Sequence, residues 1–278
     1  VDCILVNGAV ANNASDCDIM FITNKSPFYA ESGGQLSDQG VINGIQIARV
    51  KKLPNGQSLH VCETDTFQVG DHALAIVDEK LRLQTERNHS SAHLFHQAIK
   101  EILGEHAIQQ GQQVNAKSCR FDFNHYESIN DETVLQLENL VNSYIKENPL
   151  DVNIYETTLD AAKEKGAMAL FGEKYGDEVR VLSMGDVDAK SYSVELCGGT
   201  HARRTGDIGL FKITGESAVS SGVRRIEAIA GQAALSYFNQ RDAQLSKIAN
   251  RIKTTPDELL ETSELSVVEH QLRINRMM

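Results

Sequence analysis

The sequence predicts an α+β protein built from a small N-terminal β-barrel, an α/β sandwich that carries the chemistry, and a C-terminal helical linker. Three observations lead there. Residues 1–80 alternate short β-rich runs with turn residues, residues 81–231 mix strands and helices without regular βαβ alternation, and residues 232–278 carry a helical pattern only. A chain of 278 residues is long enough for more than one core, so these three stretches are taken as the domains.

The elements follow in order. The runs Asp18-Ile19-Met20-Phe21-Ile22, Ile45–Val50, Ser58-Leu59-His60-Val61 and Ala73–Val77 read as short strands at the spacing of a barrel or sandwich. Among them lies Pro27-Phe28-Tyr29-Ala30-Glu31-Ser32-Gly33-Gly34-Gln35, whose glycine pair either lets backbone approach a ligand closely or closes a plain hairpin. Leu81 to Leu103 is a long helix with Phe95, Ile99, Ile102 and Leu103 as its apolar stripe and Gly104 as its C-cap. Val114 to Phe123 is a strand ending in the alternating Arg120-Phe121-Asp122-Phe123. Asn130 caps a helix from Asp131 to Glu147, where Val134, Leu137, Val141 and Ile145 share a face and Pro149 stops the element. Strands at Val152–Tyr155, Val179–Leu182, Tyr192–Leu196, Gly209–Thr214 and Val223–Ala230, with a short helix at Leu159–Lys165, complete the second domain. Gln232 to Lys253 is an amphipathic helix, and Thr255-Pro256-Asp257-Glu258 starts another with Thr255 as N-cap and Glu258 set for a capping box. No stop signal precedes Met278, the pattern of a linker cut inside a helical hairpin.

Composition narrows the classes. Hydrophobic content of 41% and charged content of 23% are those of an ordinary globular protein, and no apolar run approaches the roughly 20 residues that span a bilayer, so no membrane partner is expected. The opening Val1-Asp2-Cys3-Ile4 has neither an initiator methionine nor a basic stretch, which leads to the expectation of an internal fragment without a signal peptide. Five cysteines, at positions 3, 17, 62, 119 and 197, lack framework spacing and point to a reducing cytoplasm. The net charge of -11 argues against a general nucleic-acid binder. Locally, though, Arg203, Arg204, Lys212, Arg224 and Arg225 face only Asp207 and Glu216 between positions 203 and 225, a basic stretch that could hold phosphates.

Two short segments carry the chemistry. His89-Ser90-Ser91-Ala92-His93 sets two imidazoles at i and i+4, on one face of the helix. Cys197-Gly198-Gly199-Thr200-His201 sets a thiol and an imidazole around a glycine pair that suits a tight turn. Three imidazoles and one thiolate suit a tetrahedral zinc ion. Four protein ligands by count favour a closed structural site; an uncrowded glycine turn leaves room for a site that acts on substrate. His96 continues the histidine row but lies about one turn too far for the same ion, so a supporting or packing role is expected. Ser90 stands where the H-E-x-x-H peptidase pattern needs glutamate, which excludes that class.

Five motifs in order extend this pattern: Phe28–Gln35, the His89/His93 helix, Arg120–Phe123, Gly166-Ala167-Met168-Ala169-Leu170-Phe171-Gly172-Glu173-Lys174-Tyr175, and Cys197–His201 followed by Thr205-Gly206-Asp207-Ile208-Gly209. With them the chain resembles the editing region of alanyl-tRNA synthetases, in its bacterial form, and more loosely the free-standing editing proteins and the editing domain of threonyl-tRNA synthetases. The resemblance implies that His89, His93, Cys197 and His201 hold zinc at a site hydrolysing the ester of mischarged Ser-tRNA(Ala) and Gly-tRNA(Ala). It further implies that Gln109 lines the amino-acid pocket and that the partners are the tRNA(Ala) acceptor end and the rest of the synthetase. The chain departs from the family at Ala92, where a threonine is usual, and in a longer loop from Asp186 to Glu195.

An alanine site cannot exclude glycine by size and rejects serine only about 10²-fold, so a second site must remove the errors. It should hydrogen-bond the serine hydroxyl to spare alanine, a contact for which Gln109 and Ser91 are the candidates. Arg203, Arg204, Arg224 and Arg225 are the candidates for the RNA phosphates. The alternative is a tRNA-binding module with a purely structural zinc.

Overall fold

The computed structural model describes residues 1–6, 9–14, 19–62, 67–168, 175–185 and 191–262, and the chain divides into two compact units, Val1–Gln232 and Ala233–Met278. Residues 169–174 of the Gly166–Tyr175 motif, residues 186–190 of the loop expected to be long, Cys17, and the last helix beyond Thr262 lie outside the described residues.

The N-terminal strands are β1 (Cys3–Val6), β2 (Ala9–Ala11), β3 (Asn13–Ala14), β4 (Ile19–Ile22), β5 (Gly40–Ile42), β6 (Ile45–Ile47), β7 (Arg49–Lys52), β8 (Ser58–Cys62), β9 (Phe67–Gln68) and β10 (Ala75–Val77). They form a five-stranded sheet in the order β2-β1-β4-β8-β7, a three-stranded sheet β10-β5-β6 and the pair β3-β9. Ile4, Phe21, Phe28, Ile42, Ile47, Val50 and Cys62 make the core between them. Among the described residues no closed barrel forms: the strands are too short, mostly three to five residues, and end in separate sheets. The expected small barrel is therefore not confirmed.

The loop after β4 leaves this core to meet the next part of the chain. Gly33 and Gly34 have φ of 57° and 81°, and a Cβ on Gly34 would lie 2.6 Å from the Gln112 carbonyl oxygen, so only glycine fits there. The loop is stitched by Leu36 N–H to the Val114 carbonyl (2.9 Å) and Val114 N–H to the Gly34 carbonyl (2.8 Å). Arg82 holds its other end, donating from Nε to Asp38 Oδ1 at 2.7 Å, from Nη2 to Asp38 Oδ2, and to the Pro27 carbonyl at 3.0 Å. The Asp38 side chain is buried and also accepts from Tyr29 N–H at 2.6 Å. Arg82→Ala strands this carboxylate, and we expect it to lower stability by about 3–5 kcal/mol in chemical unfolding. A loss under about 1 kcal/mol, the level of an exposed pair, would show that the loop is anchored elsewhere.

The remainder of the first unit comprises α1 (Glu79–Leu103), β11 (Gln109–Val114), β12 (Cys119–Asn124), α2 (Asp131–Lys146), β13 (Val152–Thr158), α3 (Leu159–Glu164), β14 (Glu178–Met184), β15 (Ser193–Leu196), a 3-10 turn at Thr205–Ile208, β16 (Phe211–Ser220) and β17 (Val223–Ala230). The caps work as the sequence implies: Asp78 accepts from Leu81 N–H, Asn130 accepts from Thr133 N–H at 2.8 Å, and Gly104 closes α1 with φ of 106°. The four-stranded antiparallel sheet β11-β12-β17-β16 carries α1 and α2 on a core of Phe95, Phe121, Phe123, Leu137, Phe211 and Ile226. Phe95 meets Phe121 edge-on at 5.6 Å. A second sheet, β13-β14-β15, ends at the Cys197 turn. The expected strand from Val114 to Phe123 is in fact a hairpin, β11 and β12, turned by Asn115, whose side chain accepts from Lys117 and Ser118 N–H. The fold is thus mixed α/β with several sheets. In the second unit, α4 (Gln232–Ile252) continues from the chain's Gln232, and Thr255 Oγ1 donates to Glu258 Oε2 at 3.1 Å at the start of the next turn.

Candidate metal centre

From Asn88 to His96 every residue of α1 is buried, so its polar side chains need partners. Asn88 bridges outward, donating to the Asn115 carbonyl at 2.7 Å and accepting from Ala230 N–H at 3.0 Å. Ser90 Oγ accepts from Ala202 N–H at 3.0 Å and so ties the Cys197–His201 turn to the helix. Arg180 clamps the same turn from below, donating to the carbonyls of Cys197 at 2.6 Å and Gly199 at 2.9 Å. An added methyl on Gly199 would run into the His89 ring and the Gln35 carboxamide, so glycine here is a condition of the turn's approach to α1.

These constraints bring His89, His93, Cys197 and His201 together, with one ligand atom of each within 4.8 Å of all the others. Cys197 Sγ lies 3.5 Å from His89 Nε2 and 3.3 Å from His201 Nε2. The His89 and His93 rings stack at 5.0 Å, as helical i, i+4 spacing requires. Gly199 N–H donates to the sulfur at 3.5 Å, a contact that favours thiolate.

The outer nitrogens of two rings are held from behind. His89 Nδ1 lies 2.7 Å from Gln35 Oε1, an oxygen that also accepts from Thr200 N–H at 2.9 Å, while Gln35 Nε2 donates to Thr200 Oγ1 at 2.9 Å. His93 Nδ1 lies 3.0 Å from Glu195 Oε2. Ser193 Oγ donates to Glu195 Oε1 at 3.0 Å, and His96 Nδ1 sits 3.2 Å from Oε2, within ionic range without a hydrogen bond. With Nδ1 engaged, each Nε2 is turned to the centre of the cluster, and among the described residues His93 Nε2 has no hydrogen bond there.

Electrostatics agree. Burial opposes charge on Cys197, but the imidazoles of His89, His201 and His93 overcome it and hold the thiol well below its ordinary range. Burial likewise opposes a proton on His93, yet the Glu195 carboxylate and the Cys197 thiolate raise it to about 10. Burial and the neighbouring His89 push His201 down to about 3. Two fixed negative groups among closely set imidazoles make a site that attracts positive charge, which a metal ion satisfies as well as a proton does. The cluster opens on a cavity of about 150 Å³ lined by His89, His93, Cys197, Gly198, Tyr29 and Gln112, among others.

The other expected site residues are dispersed. Ser91 is turned toward the sheet: its hydroxyl donates to the Asn88 carbonyl at 2.9 Å and lies 4.0 Å from Cys119 Sγ. Gln109 is buried on β11, while the β11 residue lining the cavity at the cluster is Gln112. Folding also supplies carboxylates to the basic stretch. Arg225 pairs with Asp122 through two bonds of 2.7 Å, Arg224 with Glu216, Arg204 with Asp151 at 3.2 Å and Lys212 with Glu138 at 2.7 Å. Among the described residues Arg203 has no ion pair, and it lines a separate cavity with His201, Arg82, Arg87 and Glu86.

Residues 5–81 match the family model for tRNA synthetases class II (A), and residues 179–227 match that for the threonyl and alanyl tRNA synthetase second additional domain. The chain is 47% identical over 258 residues to an alanine–tRNA ligase of Pseudomonas fluorescens, an alignment covering 91% of the chain and 29% of the relative. It is 47% identical to that of Rhizorhabdus wittichii, over 90% of the chain and 29% of the relative, and 43% identical to that of Saccharophagus degradans, over 98% and 31%. The chain belongs to the alanyl-tRNA synthetase family. It spans under a third of the length of these relatives.

In this synthetase segment the sequence motifs name the four clustered side chains but not what holds them. Glu195 lay inside a stretch read as a plain strand, and its two-residue offset from Cys197 was the available signal, since alternate strand residues share a face. Gln35 sat at the end of the glycine loop already singled out. Arg180, seventeen residues before Cys197 on β14, gives no local signal at all.

Proposed function

We propose that this chain hydrolyses the ester of serine or glycine wrongly attached to tRNA(Ala), at a zinc ion held by His89, His93, Cys197 and His201. One observation carries the reading: a buried three-imidazole, one-thiolate cluster forms the wall of a small cavity. The donor set fits zinc. Two sulfur–nitrogen separations of 3.3 and 3.5 Å match the roughly 3.5 Å edge of a tetrahedron with Zn–S of about 2.3 Å and Zn–N of about 2.0 Å. Zinc bound there supplies Lewis-acid charge that lowers the cost of negative charge developing at the ester.

The chain's own groups do the rest. Gln35 and Glu195 fix the tautomer and tilt of His89 and His93. The cavity of about 150 Å³ is smaller than the roughly 300–1,000 Å³ of sites for larger ligands, which suits a single aminoacyl group. Polar groups at its wall, Gln112 and Ser32 among them, can pair with a serine hydroxyl that alanine lacks; Gln109 remains a candidate from the adjacent stretch of β11. Arg203, next to the His201 turn, is the arginine best placed to meet RNA phosphate, with Arg204, Arg224 and Arg225 available only by exchanging their carboxylate partners.

On this reading residues 1–80 form the domain that supplies Gln35, 81–231 the domain that supplies the ligands, and 232–278 the linker to the remaining synthetase chain, in the cytoplasm. No described helix is long and apolar enough to cross a membrane.

The second reading, a tRNA-binding module with structural zinc, draws on the count of four protein ligands. A deacylation assay separates them. The zinc-loaded chain is expected to release serine from Ser-tRNA(Ala) while leaving Ala-tRNA(Ala) intact, and chelation is expected to abolish release. Intact Ser-tRNA(Ala) in the presence of demonstrable tRNA binding would favour the structural reading.

A further inference from the structure

A third cavity, about 480 Å³, lies at the C-terminal end of α1, lined by Lys100, Glu105, Tyr155, Lys165, Met168 and Tyr192 among others. Two of its groups are poorly satisfied by the protein. The Lys100 side chain is only 14% exposed, and among the described residues its nearest carboxylate oxygen, on the 89% exposed side chain of Glu105, is 4.0 Å away, while its ammonium contacts the Met168 thioether. A largely desolvated ammonium without a close counter-charge is costly, and lysines are rarely left so. The Tyr192 hydroxyl is buried without a hydrogen-bond partner among the described residues. Burial raises this phenol above its ordinary range, so it stays a donor. Lys165 adds a second cation, 5.2 Å over the Tyr155 ring. Two lysines and an unpartnered hydroxyl donor line one space against a single carboxylate, the exposed Glu105, in a chain whose net charge is -11. That space calls for an anionic, acceptor-rich ligand.

The cavity and the His/Cys cluster are bordered by the same two elements, α1 and β15. His93 and Lys100 are i and i+7 on one face of α1, about 10 Å apart along its axis. Strand β15 passes both places, with Val194 lining the larger cavity and Leu196 and Cys197 the smaller. A single strand that approaches the cluster along the C-terminal end of α1 runs past Lys100. We propose that this cavity holds backbone phosphate of the single-stranded 3′ end of the RNA, with Lys100 and Lys165 meeting the charge and Tyr192 donating to a phosphate or ribose oxygen. The identity of the ligand as RNA rests on the editing reading above; the capture of phosphate rests on the cavity itself.

The test uses the full 278-residue chain and Lys100→Met, Lys100→Arg, Lys165→Gln and Tyr192→Phe variants. The probe is a labelled RNA hairpin with a single-stranded 3′ tail, titrated over a range of salt. Lys100→Met is expected to fold with unchanged or higher Tm, because it removes an unpaired buried charge. It is expected to bind the tailed hairpin about tenfold more weakly, with a salt slope smaller by about 0.7, as for one lost single-strand phosphate contact. Lys100→Arg should restore binding, and a blunt hairpin should not distinguish the variants. Parallel deacylation of Ser-tRNA(Ala) should show a raised KM with kcat little changed, and hydrolysis of a 3′-seryl adenosine ester should be unaffected. Equal binding of tail by wild type and both lysine variants overturns the proposal, as does competition by inorganic phosphate without any binding of RNA. If the wild type binds the tail but hydrolyses neither ester, the editing reading fails while the binding comparison still decides the cavity.

Discussion

Replacing Cys197 with alanine is expected to abolish both metal retention and serine release. The thiolate is the only anionic group among the four ligands, and the His89, His93 and His201 rings are arranged around it. Without it the three imidazoles face one another with no negative partner at the centre, so the loss of metal affinity should exceed the roughly 10–100-fold typical of supporting residues. Metal content by elemental analysis, read beside the rate of Ser-tRNA(Ala) deacylation, checks this. Retention of stoichiometric metal by the variant would place the ion elsewhere; hydrolysis at the wild-type rate without metal would make the ion dispensable for the chemistry.

The next largest effect is expected at Glu195, a residue that stands behind His93. It is buried at 2% exposure and receives His93, His96 and Ser193. Glu195→Ala leaves two buried imidazoles without their carboxylate, a change that costs about 3–5 kcal/mol for a broken buried pair. Metal affinity should fall about 10–100-fold because His93 loses its fixed tilt and tautomer. Glu195→Gln keeps the shape and an acceptor, so stability should recover more than metal affinity does. That split between Tm and metal dissociation constant is the signature of a positioning residue. If both variants lose stability and affinity in proportion, Glu195 serves packing alone.

How much of this could be read from the chain depends on the range of the forces involved. Helix α1, its histidine face, the Asn130 cap and the glycine turn at Cys197 are local features, written in periodicity and capping chemistry over a few residues. The two halves of the His/Cys cluster were legible for the same reason, since each pair lies on one short element. The N-terminal sheets were not, because strand spacing alone does not say whether short strands close or split, and these split into sheets of five, three and two. The ion pairing of the basic stretch from Arg203 to Arg225 was not legible, for a related reason. Its balancing charges, Asp122, Glu138 and Asp151, are distant in sequence and arrive only when β12, α2 and the start of β13 pack beside it. Ser91 was chosen for its hydroxyl, yet it lies two positions from His89, which on a helix turns it well away from the histidine face and onto the sheet. Gln35 and Arg180 hold the site through contacts spanning the fold, the kind of information a linear motif does not carry.

The central claim is that two distant segments meet around one ion. X-ray absorption at the zinc edge of the metal-loaded chain measures this directly. The expected first shell is one sulfur at about 2.3 Å and three imidazole nitrogens at about 2.0 Å. A shell without sulfur, or one of oxygens alone, would contradict it.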